Sequence, residues 1–255
     1  MDVRDRVCVV TGGASGIGRA LAARFASDGA RAVVVVDRDA DGAREVAGFV
    51  GGLGMAADVA REDDIRRVID DTEARCGPID LFCSNAGILV AGGPEVPTDE
   101  WQRIWEVNVM AHVLAARHLV PRMLERGGGY LLQTASAAGL LSQVGSAPYA
   151  VTKHAAVAFA EWLAITYGDR GLRVSVLCPQ AVRTAMTDGI PNGGVAGVDG
   201  MLEPEGIADA VVEGLADERF LILPHPTVAE YVRRKAEDVE RWLRGMRRLQ
   251  ARFGG

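Results

Sequence analysis

The chain has 255 residues, 49% hydrophobic and 24% charged, the proportions of one globular domain large enough to bury roughly three quarters of its unfolded surface. That composition excludes intrinsic disorder, and a formal charge of −6 argues against a nucleic-acid surface. There is neither a span of about 20 apolar residues nor a secretory leader, so a cytoplasmic protein with no membrane attachment is expected.

Short runs rich in valine and leucine, without polar alternation, predict strands covered on both faces. They fall at Val7–Thr11, Ala32–Asp37, 81–85, 130–136, 174–178 and 220–223, with a weaker one at 55–57. Apolar spacing of three and four places helices at 17–28, 65–75, within 98–126, at 149–167 and at 205–216. Strand and helix alternating this often imply an α/β fold: a doubly wound, seven-stranded parallel sheet of Rossmann type, helices on both faces, in a single domain. The domain is read as residues 1–226, and the glycine-rich stretch 189–200 as a mobile loop within it. Residues 227–255, set off by Pro224-His225-Pro226, form a C-terminal amphipathic helical extension. Its apolar residues Trp242, Met246, Leu249 and Phe253 recur at helical spacing among arginines, a face that packs either on its own subunit or on a partner.

Cys8, Cys76, Cys83 and Cys178 form no CxxC pair, and His112, His118, His154 and His225 lack metal-ligand spacing, so neither a disulfide nor a metal site is expected. Lysine usage says more. Of 28 basic residues only Lys153 and Lys235 are lysines, so arginine serves wherever a surface cation suffices and a retained lysine points to chemistry.

Two motifs carry that chemistry. Residues 11–18 read TGGASGIG, directly after a buried strand and opening a helix. Gly12, Gly16 and Gly18 allow a tight turn and a close backbone approach to a pyrophosphate, which the helix N-terminus around Ser15 and Ile17 attracts. Nineteen residues beyond Gly18, Asp37 ends the second strand, where a carboxylate accepts from ribose hydroxyls and repels a 2′-phosphate. NAD is therefore expected over NADP, although Arg38 follows; position 15, where a second cation could help, is a neutral serine. Asp58 and Val59, closing the third strand, would sit beside the adenine.

In the second motif Tyr149 and Lys153 stand four apart on one helix face, after a strand that ends at Ser136. A phenol with a pKa of about 10 is a poor base at neutral pH, and lowering it by two to three units takes roughly 3 to 4 kcal/mol. A nearby ammonium in a site of low dielectric can provide that, and can also hold a cofactor ribose.

With these residues in place the sequence resembles the short-chain dehydrogenase/reductase family, in its compact single-domain form, from Val7 to Leu223. The resemblance implies a tetrad of Asn108, Ser136, Tyr149 and Lys153. Tyr149 would act as base, Ser136 would orient the substrate oxygen, and Asn108 would interrupt its helix ladder and hold a water joining Lys153 to solvent. It also implies that Asn85-Ala86-Gly87 steadies the central sheet beside the cofactor. Pro179 opens a segment in which the Val182 backbone and the Thr184 hydroxyl would hold the nicotinamide carboxamide. Two positions depart from the pattern: Ser84 for an asparagine, and Gln180 for a glycine, the latter either a specificity determinant or a rigid turn substitution.

The activity implied is NAD-dependent oxidation of a secondary alcohol to a ketone, or the reverse, by a homotetramer or homodimer. Substrate contacts would come from Ala138 and Val144 after Ser136, from Gln180, and from Met186 within a substrate loop at about 185–203. These are mostly small or apolar, favouring an apolar alcohol or ketone unless Arg183 faces the pocket. Trp101, Trp105 and Trp162 lie on helices that such families pair across dyads, and serve equally well as core. Two rivals are a ketone or 3-oxoacyl thioester reductase of the same family, and a non-catalytic NAD-sensing or scaffold protein whose C-terminal helix engages a partner.

Overall fold

The computed structural model describes residues 1–253. Seven strands, β1 (Val7–Thr11), β2 (Ala32–Asp37), β3 (Leu53–Ala56), β4 (Leu81–Ser84), β5 (Gly129–Thr134), β6 (Leu172–Leu177) and β7 (Leu221–Ile222), pair in parallel in the order β3-β2-β1-β4-β5-β6-β7. The uninterrupted apolar runs follow from the layering. Val7, Val9, Val34 and Val36 face a core built with α3 (Glu62–Cys76), α5 (Ala111–Glu125) and α6 (Ala147–Tyr167). Their neighbours Cys8, Val10, Val33 and Val35 face the opposite core, built with α1 (Gly16–Ser27), α2 (Ala40–Val50) and α7 (Pro204–Ala216). Both pleat faces are covered, so the strands are mostly apolar, and buried polar residues such as Thr11, Thr134 and Ser175 are hydrogen-bonded.

Several elements differ from the sequence reading. Helix α2 was absent from it because Gly42 and Gly48 interrupt the apolar pattern; caps define it instead. Asp39 accepts from the Asp41 and Gly42 amides, and Gly51 closes the helix at a left-handed φ of 65°. The 98–126 region is two helices, α4 (Thr98–Trp105) and α5, joined by a π-helical turn at Glu106–Met110. Strand β5 stops at Thr134, so Ser136 lies just past the strand rather than ending it, and caps a single 3₁₀ turn at Ala137–Gly139 by accepting from the Ala138 amide. Asp58 likewise stands two residues beyond β3.

After β7 come α8 (Thr227–Glu237) and α9 (Val239–Phe253). Trp242 of α9 packs on Tyr231 of α8 with ring centroids 6.3 Å apart, while Val239, Leu243 and Phe253 remain exposed. The apolar face of α9 is therefore covered only in part by its own chain. No helix among the described residues is long and apolar enough to cross a membrane.

Candidate active site

All strands point one way, and β1 lies between β2 and β4, whose connections lead to opposite faces of the sheet; a crevice opens at their carboxyl ends. A cavity of about 990 Å³ runs along this edge from Gly12 and Asp37, past Asn85 and Gly87, to Tyr149, Lys153 and Gln180.

At one end the wall is backbone. Gly12 and Gly16 adopt φ of 64° and 50°. A Cβ at Gly12 would come within 2.9 Å of Ala86 Cα, and one at Gly16 within 2.9 Å of Thr184 Cγ2. Gly18 lies beneath the turn instead of on the wall: a Cβ there would be driven into the Gly12 carbonyl and to 2.8 Å from Asn85 Nδ2. Helix α1 has no acidic residue in its first turn, and no side chain accepts from its leading amides. Those N–H groups and the helix dipole remain available to an anion.

Asp37 stands on the same wall with both oxygens fixed, Oδ2 accepting from Ala14 N at 3.1 Å and Oδ1 from Asp39 N at 3.1 Å. Arg38 is exposed at the rim. Asp58 accepts from Ala60 N at 3.0 Å and donates its own amide to Asp64 at 2.9 Å, which holds the Asp58-Val59 segment against the cavity. The floor is tied across three strands. Thr11 Oγ1 accepts from the amides of Asn85 and Ala86 at 2.9 and 3.1 Å, Asn85 Nδ2 donates to Thr11 O at 3.1 Å, and Thr134 Oγ1 donates to Asn85 Oδ1 at 3.1 Å. These residues, with the Pro179, Val182 and Thr184 segment after β6, line a surface whose missing Cβ atoms and free amides fit an extended dinucleotide.

The opposite end gathers Ser136, Tyr149 and Lys153, each less than a tenth exposed. Ser146 caps α6 by accepting from the Tyr149 amide at 3.2 Å, which places the phenol in the first helical turn, and Lys153 follows one turn later. Lys153 Nζ donates to Thr134 O at 2.9 Å and lies 5.6 Å from the centroid of the Tyr149 ring. Asn108, fully buried in the π turn, clamps the Ile88 backbone: Oδ1 accepts from Ile88 N at 2.9 Å and Nδ2 donates to Ile88 O at 2.9 Å. Nδ2 also donates to Thr152 Oγ1 at 3.2 Å, joining α5's leading turn to α6. Sequence reasoning missed Thr152, whose one signal is a hydroxyl inside a helix beside a retained lysine. Gly87 leaves the space between these groups open, since a Cβ there would stand 3.3 Å from both Asn108 Oδ1 and Lys153 Nζ.

Electrostatics here run against one expectation. Burial pushes the Tyr149 phenol above its ordinary value, with the Ser136 hydrogen bond acting in the other direction. Lys153 lies over the ring, 5.6 Å from its centroid, and donates to the Thr134 carbonyl. Burial lowers Lys153 itself to about 8. His112, one turn after Asn108, is wholly buried with neither ring nitrogen paired among the described residues, and burial together with the Lys153 charge brings it down to about 3, so it is neutral at physiological pH.

Of the expected substrate residues, Gln180 and Met186 line the cavity and Ala138 and Val144 do not. Ala138 is buried under the site against Ile104 and Tyr149, because the 3₁₀ turn rotates it inward, and Gln143 takes the wall position expected of Val144. Arg183 pairs with Glu203 at 2.8 Å and stays off the wall. The Gln180 side chain is engaged by Asp199 and Thr227.

Over residues 6–193 the chain matches the short chain dehydrogenase family. It is 40% identical over 250 residues to the 1-deoxy-11-beta-hydroxypentalenate dehydrogenase of Streptomyces exfoliatus, with 94% of this chain and 90% of that enzyme covered. The meso-2,3-butanediol dehydrogenase of Serratia marcescens is 34% identical over 191 residues, covering 73% and 75% of the two chains. Among solved structures, a short chain dehydrogenase/reductase from Burkholderia phymatum in complex with NAD superposes with a TM-score of 0.86 at 28% identity, over 94% of this chain and 96% of that one. The fold and the edge-on cavity thus define a dinucleotide-type oxidoreductase. The chain belongs to the short-chain dehydrogenase/reductase family.

Proposed function

We propose that this protein oxidises a secondary alcohol on an apolar skeleton to the ketone, or runs the reverse reaction, with NAD. One observation carries the reading: Ser136, Tyr149 and Lys153 converge at one end of the cavity that starts at the glycine turn and Asp37. The turn amides would hold the pyrophosphate, Asp37 the ribose hydroxyls, Asp58 and Val59 the adenine side, Lys153 the second ribose, and Val182 with Thr184 the carboxamide. A fixed carboxylate at Asp37 supports NAD over its 2′-phosphorylated form. A bound oxidised nicotinamide supplies a hydride acceptor and a positive charge.

The chain's own residues handle the proton. Ser136 Oγ holds the substrate oxygen in register with Tyr149 Oη, which takes the hydroxyl proton as the carbonyl forms and returns it in the reverse direction. Burial disfavours a lone phenolate, so Tyr149 needs cationic surroundings to act as base at neutral pH; Lys153, protonated below about 8, contributes to them. Gly87, lacking a Cβ, keeps the space between Asn108 and Lys153 open to a proton path.

Apolar wall residues such as Val90, Met186 and Ile190 support an apolar substrate, as does Arg183 standing off the wall. The Streptomyces relative, named for a hydroxylated substrate, supports a secondary alcohol. The reading includes a cytoplasmic homotetramer or homodimer paired through α5 and α6, supported by an apolar groove between them at Val120, Phe159 and Trp162, the last 53% exposed. The test is Tyr149→Phe, which keeps the ring and removes the acid–base group. Turnover on a secondary-alcohol panel is expected to fall at least about 1,000-fold with NAD affinity retained. Near-normal turnover would overturn the assignment.

A further inference from the structure

Asp199, in the loop after β6, gathers side chains from two other segments. Its Oδ2 accepts from Gln180 Nε2 and from Thr227 Oγ1, both at 3.1 Å, and its Oδ1 accepts from Tyr231 Oη at 3.0 Å. Gln180 N donates to His225 Nδ1 at 3.2 Å, so the residue that departs from the family's glycine is held from both its backbone and its side chain. Asp199 itself is not on the cavity wall, yet Met186, Ile190 and Gly193 of the same loop are.

The partners on α8 are periodic. Thr227, Tyr231 and Lys235 stand four apart and stack on one face. The third, Lys235, donates from Nζ to Leu140 O at 2.7 Å, in the segment that follows Ser136. Beside this polar ridge Val228 and Val232 pack on Ala137, Leu140 and Leu141. One helix therefore grips both segments that frame the substrate end. The second retained lysine thus has a defined partner, a half-buried carbonyl reached by a compact ammonium.

We propose that α8 is a strap that sets the shape of the substrate end, and that Asp199 is the positioning residue through which it holds the loop over residues 185–203, making alcohol selectivity a property of the C-terminal helices. The inference rests on the dehydrogenase reading above for its kinetic arm only. Asp199 is solvent-exposed, so its charge-assisted bonds are screened and the effect is a moderate one.

The test compares Asp199→Ala, Asp199→Asn and Tyr231→Phe in the full chain. Hydrogen exchange of the protein alone is read over residues 185–203 and 137–145, alongside NAD titration and steady-state kinetics on secondary alcohols. Asp199→Ala is expected to speed exchange over 185–203 at least about fivefold and to raise KM for alcohol about five- to tenfold, with kcat within about twofold and NAD affinity unchanged. Asp199→Asn, which keeps an acceptor for Tyr231, and Tyr231→Phe should fall between wild type and Asp199→Ala. Unchanged exchange over 185–203 overturns the strap, as does a loss confined to kcat. The exchange measurement needs no turnover, so its failure is distinct from retained activity in Tyr149→Phe, which overturns the dehydrogenase reading instead.

Discussion

At the glycine turn the cavity wall is made of main chain, and its form depends on atoms that are not there: a Cβ at Gly12, Gly16 or Gly18 meets Ala86, Thr184 or the turn itself. Around Gln180 the wall is held by side chains that reach across from α8 and the loop after β6. The first region has one geometry and little tolerance, as befits a diphosphate common to many reactions. The second is a set of separable polar contacts that can be exchanged singly.

The sharpest way to break this contrast is Gly18→Ala. The added methyl is forced against Gly12 backbone and Asn85, neither of which can yield without opening the ties to Thr11. NAD affinity is expected to fall about 100-fold and the melting temperature by about 5–10 °C, while Gly48→Ala, with nothing within 4 Å of its Cβ, raises stability slightly. Titration and a thermal melt on both variants decide it. Tolerance of alanine at position 18 would mean that the main-chain end is no more exacting than the other.

A smaller effect is expected at Asp37, the side chain on the main-chain wall. Asp37→Ala should lower the ratio of kcat/KM with NAD to that with NADP by about 10- to 100-fold, since a repulsive charge is removed along with the acceptor to Ala14. A wild-type preference for NADP would contradict the cofactor assignment.

The smallest effect lies where the two ends meet. Lys153 is lowered to about 8, so its ammonium is present below that pH and is lost as pH rises through it. Tyr149, pushed above its ordinary value, stays protonated over the same window. NAD affinity should weaken about three- to fivefold between pH 7 and 9.5, and Lys153→Met should abolish that dependence. A flat profile in the wild type would show that the ammonium contributes nothing to cofactor binding.

Local rules explain what is legible in the sequence. Val7–Thr11 is buried throughout and Ala32–Asp37 at all but its two end residues, on one face or the other, and the turn at 11–18 is recognisable because its glycines recur at fixed spacing between a buried strand and a helix. Helix α2 escaped because its evidence sits in the caps Asp39 and Gly51 and not in apolar spacing. Ala138 faces inward because a single 3₁₀ turn rotates it, which no sequence period signals, and the burial that raises the Tyr149 phenol comes from long-range packing that local spacing does not show. Asp199 could not be found at all: its partners lie 19, 28 and 32 residues away, distances that correspond to no local period.

The scarcity of lysine has a practical side. With Lys153 shut inside the protein, an amine-selective reagent finds Lys235 as its only partly accessible side-chain target, and acylation there removes the donor that ties α8 to Leu140. Immobilising this protein through primary amines would thus act at the α8 anchor or at the Met1 amine, whereas coupling through carboxylates would spread the attachment over the whole acidic surface.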